Sequence, residues 1–535
     1  MDHLRRPFTA LAPKTGLFAM VLLAGCGGGG SSTPPPLPDP VGWEAGVFEP
    51  SENYSALCSA PRSGLDPDTA LPYPDSQGTS TDENNWLRAW SDETYLWYDE
   101  IVDRDPALFT TTAYFDLLKS PATTASGQPR DRFHFALPTE EWRELSTTGA
   151  SAGYGAEWVL LSAVPPRELV VVHTEPVSPA ASPTANLLRG ARILEVDGID
   201  LVNADDAASV AILNAGIYPE GANETHEFTV QDPGATGTRT ISMTSAIVQR
   251  DPVPVVDWFD TATGRVGYLL FTGHIGTAET ALIDAVETLD TAGVDNAGVD
   301  DLILDLRYNG GGYLFIASEL AYMIAGQTAT AGRTFELQQF SDKHPDVNPV
   351  TGSPLDPVPF FASAVGIVDP IAGTPLPTLD LPRVFVLTGP DTCSASESII
   401  NALDGIGIEV IQIGSTTCGK PYGFYPTDNC GTTYFTIQFQ GINNAGFGDY
   451  SDGFSPANST DPASTFLNGC AVADDYDHAL GDISEGRIAA ALNYRDFASC
   501  PAPSSFNPDA VLKTDTSSHS APPRLLRRPW ETIRW

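Results

Sequence analysis

The chain has 535 residues, 42% of them hydrophobic and 18% charged. That balance suits a folded protein and excludes a disordered one, and the length predicts roughly two to four domains of about 100–200 residues. With 68 acidic against 28 basic residues the formal charge is −40, which repels phosphate backbones and argues against a nucleic-acid partner.

The N-terminus reads as an export signal. Arg5, Arg6 and Lys14 precede a short apolar run from Leu17 to Ala24, too brief to span a bilayer. Leu23-Ala24-Gly25-Cys26 follows and looks like a bacterial lipobox, with Cys26 as the lipidated residue. The Gly-, Ser- and Pro-rich stretch to Pro40 suits a flexible tether. The expected address is the cell envelope, facing the periplasm and anchored to a bacterial membrane by lipid.

Residues from about Cys58 to Trp142 carry helical patterns. Trp86, Leu87, Trp90, Tyr95, Leu96 and Trp97 recur at three- and four-residue steps behind Asp82, the expected N-cap. Tyr114, Phe115, Leu117 and Leu118 suggest a second helix, followed by Asp131-Arg132-Phe133-His134-Phe135.

From about Ala150 to Val248 the signal changes to short strands: Glu168–His173, Ile193–Val196 with a turn at Asp197-Gly198, then Glu227–Val230 and Thr240–Met243 joined by a Gly-rich loop. Ala207–Leu213 reads as a helix. This composition suits a small β-barrel.

From about Val255 to Asn493 strands and helices alternate, as βα units in a layered sheet do. Val266–Phe271, Leu302–Leu306, Val384–Leu387 and Val410–Ile413 are apolar runs of buried-strand character. Thr277–Ala292, the stretch to Ile324 and Ser396–Leu403 are the helices. The end, from Arg524, is basic and reads as a frayed tail.

Six cysteines remain besides Cys26: Cys58, Cys393, Cys418, Cys430, Cys470 and Cys500. An even number in an exported chain suggests disulfides, and Cys418 with Cys430 is one candidate pair by proximity. The absence of any CxxC pair and the scatter of the eight His argue against a metal. No cofactor is expected.

Three sequence features carry chemistry. Thr392-Cys393-Ser394-Ala395-Ser396-Glu397 follows a buried strand and opens a helix, which presents a hydroxyl at the sheet edge near a positive helix end. A capping role for Ser396 is the alternative. Gly414-Ser415-Thr416-Thr417-Cys418-Gly419-Lys420-Pro421 ends the next buried strand. Adjacent strands lie about 4.8 Å apart, a gap that a Lys side chain bridges, and burial makes such an amine a usable base. The pattern is not a phosphate loop, since Pro421 follows the Lys. Asn309-Gly310-Gly311-Gly312 exposes backbone N–H groups after a strand.

Together these three features resemble the C-terminal-processing, or tail-specific, peptidase family. The resemblance implies Ser394 as nucleophile, Lys420 as general base, and an oxyanion hole of Gly310 or Gly311 with Ala395. Upstream, Gly153-Tyr154-Gly155-Ala156, Val177–Ala180 and Leu188–Gly198 resemble a PDZ domain, which implies that the amides of Gly153, Tyr154, Gly155 and Ala156 hold a peptide C-terminus. Many family members place a Gln four residues after the Lys; here Phe424 stands there.

The expected architecture is a multidomain α+β chain: signal peptide 1–25, lipidated Cys and tether 26–55, helical N-terminal domain 56–147, PDZ-like β-barrel 148–250, α/β peptidase core with a layered sheet 251–500, and tail 501–535. The expected function is a Ser/Lys endopeptidase that cleaves exported or unfolded proteins selected by their free C-termini. A non-catalytic PDZ lipoprotein that binds protein C-termini is one alternative, motivated by Phe424. A Ser-His-Asp hydrolase using His274 with Asp305 is another, although no GxSxG elbow is present.

Overall fold

The computed structural model describes residues 43–67, 69–460 and 465–501. The leader, Cys26 with its tether up to residue 42, and the basic end from Arg524 lie outside the described residues. Among those described, no helix is long and apolar enough to cross a membrane.

The N-terminal part contains helices α1 (Ser80–Thr94), α2 (Thr111–Phe115) and α3 (Thr139–Thr148). The cap of α1 is Thr79 and not Asp82: Thr79 Oγ1 accepts the Asp82 N–H, and the Asp82 carboxylate accepts the Thr79 N–H at 2.8 Å. The hydroxyl three residues upstream satisfies a first-turn donor, which leaves Asp82 inside the helix. Trp86 stacks on Trp90 at 5.2 Å, and both rings pack against Tyr434. A stripe of this size needs a broad apolar surface to leave water, and the C-terminal part supplies it. The strand Phe135–Pro138 pairs antiparallel with Thr432–Phe435, and Cys58 is bonded to Cys430. The two aromatic cores are therefore shared between residues 86–142 and residues 393–437.

A six-stranded antiparallel sheet follows: β1 (Ala156–Ser162), β2 (Glu168–Thr174), β3 (Arg192–Val196), β4 (Thr225–Gln231) and β5 (Arg239–Thr244) in the order β5-β4-β3-β2-β1, with the short strand Ile199–Asp200 also paired to β3. Helix α4 (Ala207–Ile217) is capped by Asp206, whose carboxylate accepts the Ser209 N–H. Tyr154, Val171, Ile193, Val196, Leu213, Phe228 and Met243 form a core drawn from this segment alone. Strand β1 lies at an edge. The short pair Ser151–Gly153 with Ala246–Val248 joins the two ends of the segment.

The C-terminal layer is a six-stranded sheet of β6 (Val255–Thr261), β7 (Gly264–Leu270), β8 (Asp301–Asp305), β9 (Arg383–Thr388), β10 (Glu409–Gly414) and β11 (Gly469–Ala471), neighbours in that order. Only the β6–β7 pair is antiparallel. The apolar runs are buried on both faces. Leu302, Leu304, Val384 and Val386 face α5 (Ala278–Asp290), α6 (Leu314–Thr330) and α7 (Ala395–Gly405). Ile303, Phe385, Leu387, Ile411 and Ile413 face α8 (Gly486–Phe497). This is why the strands read as continuous hydrophobic runs with no alternation. Strands β8, β9 and β10 are adjacent and parallel, so their C-terminal ends open on one edge.

Candidate active site

Each of those three strand ends carries one predicted element. After β8, the Asn309 carbonyl accepts the Cys393 N–H at 3.1 Å and the Ser396 hydroxyl at 3.0 Å, which stitches the glycine loop to the turn bearing Ser394. The Asn309 side chain faces the other way: Oδ1 accepts the Gly311 N–H at 3.0 Å and Nδ2 donates to the Phe271 carbonyl. A Cβ on Gly312, at φ +138°, would lie 2.3 Å from the His274 carbonyl oxygen, so only glycine fits this approach. Among the described residues no acceptor takes the N–H of Gly310 or of Ala395, whereas that of Gly311 is occupied.

After β9 the chain turns sharply. Ser394 is a half-buried, non-glycine residue at φ 57°, a conformation that costs on the order of 1–3 kcal/mol and persists only where its surroundings impose it. Two restraints do so. The Ser394 N–H donates to Glu397 Oε2 at 3.0 Å, and Cys393 is disulfide-bonded to Cys418.

After β10 the loop folds onto the same carboxylate. Glu397 Oε1 accepts the Gly419 N–H at 2.8 Å and the Thr417 hydroxyl at 2.5 Å, and Oε2 accepts the Lys420 N–H at 2.8 Å. Gly419 sits at φ +80°, where a Cβ would lie 2.4 Å from the Ser451 carbonyl oxygen. Burial pushes the Glu397 carboxyl above its usual range, and the bonds from Thr417, Lys420, Gly419 and Ser394 draw it back.

The Lys420 side chain is buried. Nζ lies 4.0 Å from the Phe424 ring centroid and 5.3 Å from that of Phe133. Burial pushes the amine down to about 7, opposed first by Asp131 and then by Glu397. The ring of Phe424 thus occupies space beside the amine, and two hydroxyls of the preceding loop are engaged elsewhere: Thr417 on Glu397 and Thr416 with Ser455. No hydrogen bond joins the Ser394 hydroxyl to the Lys420 amine in the resting structure.

Several expectations are corrected. Helix α7 begins at Ala395, with Ser394 at its N-cap position, and Ser396 is spent on Asn309 and does not cap. Cys418 pairs with Cys393, and Cys430 pairs with Cys58; sequence proximity lost to the proximity of adjacent strand ends. His274 does not meet Asp305. Its Nδ1 lies 3.1 Å from Asn309 Oδ1 and burial pushes the imidazole down to about 3, while Asp305 is engaged by Arg307 and the Tyr268 hydroxyl. Glu397 and Asn309 are the residues whose importance the sequence reading missed. A Glu three residues after a turn serine is a capping-box signal that could have marked the first. Cys393, Glu397 and Cys418 cluster closely enough for a metal, but the two sulfurs are joined in a disulfide and offer no thiolate.

The predicted peptide-binding residues border a cavity of about 140 Å³. Gly153, Tyr154, Gly155 and Ala156 line one part, and Thr272, Gly273 and Gly311 another. His173, Glu175 and Arg250 add polar lining.

Residues 265–425 match the model of peptidase family S41. No curated protein matches the chain. Among solved structures, a Bacteroides fragilis protein assigned to the S41 proteases is 21% identical with a TM-score of 0.55, over 80% of this chain and 98% of that one. The photosystem II D1 C-terminal processing protease is 20% identical with a TM-score of 0.43, over 78% of this chain and 97% of that one. The family match spans β7 to the Lys420 loop, so the segment that holds all three strand-end elements is the one that resembles peptidase family S41.

Proposed function

We propose that the chain is a Ser/Lys endopeptidase that selects exported or unfolded proteins by their C-termini. The observation that carries this reading is the shared carboxylate of Glu397, which takes backbone N–H groups from both Ser394 and Lys420. In the proposed reaction Ser394 Oγ attacks the scissile carbonyl carbon while Lys420 Nζ takes its proton. The N–H groups of Gly310 and Ala395 stabilise the oxyanion, and the free state of the Gly310 N–H favours it over Gly311. Lys420 then gives the proton to the leaving amine, and water releases the acyl group from Ser394.

The PDZ-like segment supports C-terminal selection. Its edge strand β1 begins at Ala156, beside the Gly153–Ala156 loop, so an incoming peptide can add as a further strand with its carboxylate on the loop amides. Lipid anchoring through Cys26 at a periplasm-facing membrane belongs to the same proposal. Three disulfides, which pair all six other cysteines, suit an oxidising compartment.

The test is labelling of purified protein with a serine-reactive fluorophosphonate, alongside cleavage of an unfolded substrate. Labelling and cleavage are expected in wild type, and both are expected to be lost in Ser394→Ala. Cleavage that survives in Lys420→Ala would overturn the dyad.

A further inference from the structure

One buried carboxylate, two residues before the Phe133 ring that faces the candidate base, has no role in that reaction. The Asp131 side chain is fully buried. Its Oδ2 accepts the Tyr95 hydroxyl at 2.6 Å and its Oδ1 accepts the Phe133 N–H at 3.1 Å. It heads a three-residue segment that walls the base. The Phe133 ring lies 5.3 Å from Lys420 Nζ, and Arg132 donates to the carbonyls of Cys418 and Ser451.

The charged and titratable groups around this carboxylate come from several elements. Tyr95 follows α1. On the segment itself, Arg130 is paired with Glu100, and Arg132 is spent on carbonyls. His134 Nδ1 lies 4.0 Å from Asp131 Oδ2 and 3.0 Å from the Thr436 hydroxyl, while its Nε2 donates to the Phe115 carbonyl. Burial lowers its pKa. Lys119 acts on His134 through space. From the catalytic loops come Lys420, Glu397 and Tyr422. Among the described residues no carboxylate lies within ion-pair distance of Lys420 Nζ, so its counter-charge acts through space. Glu397 is already engaged by four donors. Asp131, hydrogen-bonded to Tyr95 and to the Phe133 N–H within the aromatic cluster around the amine, is the other carboxylate that acts on Lys420.

We propose that Asp131 is a positioning residue of the peptidase, the buried counter-charge by which the N-terminal part holds and orients the Lys420 amine. This rests on the Ser/Lys reading. It also explains why the aromatic cores of residues 86–142 and 393–437 are shared: the base is completed by a segment far away in the chain.

The experiment measures kcat and KM against pH for wild type, Asp131→Asn and Tyr95→Phe, with Lys420→Ala as reference. Loss of the charge leaves burial less opposed. Asp131→Asn therefore moves the midpoint of the ascending limb of kcat to lower pH by at least about half a unit, and lowers the plateau about tenfold, with KM unchanged. Tyr95→Phe removes the hydroxyl that shares the Asp131 charge, so its midpoint moves to higher pH. That variant keeps the aromatic body and decides the matter should Asp131→Asn not fold. Midpoints equal to wild type in the folded variants overturn the proposal. Activity that persists in Lys420→Ala overturns the Ser/Lys reading instead, so the two failures are told apart.

Discussion

Glu397 Oε2 accepts the backbone N–H of Lys420 at 2.8 Å, and the same oxygen accepts that of Ser394 at 3.0 Å. A single buried carboxylate thus fixes the two loops that carry the candidate nucleophile and base. Such an arrangement positions both groups before substrate arrives, and a displacement of about 1 Å at such a centre costs roughly a hundredfold in rate.

Glu397→Ala removes the acceptor of three backbone donors in a buried site. We expect kcat to fall by about a hundredfold, and stability by roughly 3 kcal/mol, since each buried donor loses its partner. Glu397→Gln keeps the volume and one acceptor oxygen and should recover part of both. Thermal unfolding and steady-state kinetics check this; full activity in Glu397→Ala would refute the positioning role.

Cleavage should rise with pH through about 7, as the Lys420 ammonium loses its proton. The stability effect has the same sign. The amine binds its proton less tightly folded than unfolded, so the buried charge destabilises the fold below about 7, and stability recovers as pH rises from there toward the ordinary lysine value. Lys420→Met should therefore be inactive yet more stable at pH 6 by a few kcal/mol, since each pH unit separating the folded from the unfolded pKa is worth about 1.4 kcal/mol. The gain should shrink toward pH 10. Denaturant titrations of both proteins across pH would expose an absent or inverted trend.

The Cys393–Cys418 disulfide joins the residue before Ser394 to the residue two before Lys420. Replacing both cysteines by serine should reduce kcat more than it raises KM, because the bond restrains reacting groups and touches no substrate. The loop it closes predicts a stability loss of about 3 kcal/mol. Peptide mapping under non-reducing conditions checks the pairing, and kinetics of the double variant check its effect.

Selection by a free C-terminus predicts that amidation of a substrate's last residue raises KM. Loss of a charged acceptor on backbone amides is worth about 1.5–3 kcal/mol, or roughly ten- to a hundredfold. Equal KM values for the acid and the amide would remove the carboxylate-binding role from Gly153–Ala156.

The sequence by itself determined the parts that depend on neighbours in the chain. Leu302–Leu306, Val384–Leu387 and Val410–Ile413 read as buried strands because strands covered on both faces have no polar alternation to confuse the pattern. Ser394, Lys420 and the Gly310–Gly312 run were legible because each follows such a strand directly. Only the tertiary structure decided which groups meet across the fold. Cys418 found Cys393 because parallel neighbours bring their C-terminal ends together, whatever the residue count between them. Glu397 turned from a helix-start residue into the clasp of two loops, and the Trp86–Trp90 stripe turned from the core of a separate unit into half of a shared one. Contacts such as that of Phe133 with Lys420 arise from strand pairing and the burial of aromatic surface, and neither leaves a periodic mark in a single sequence.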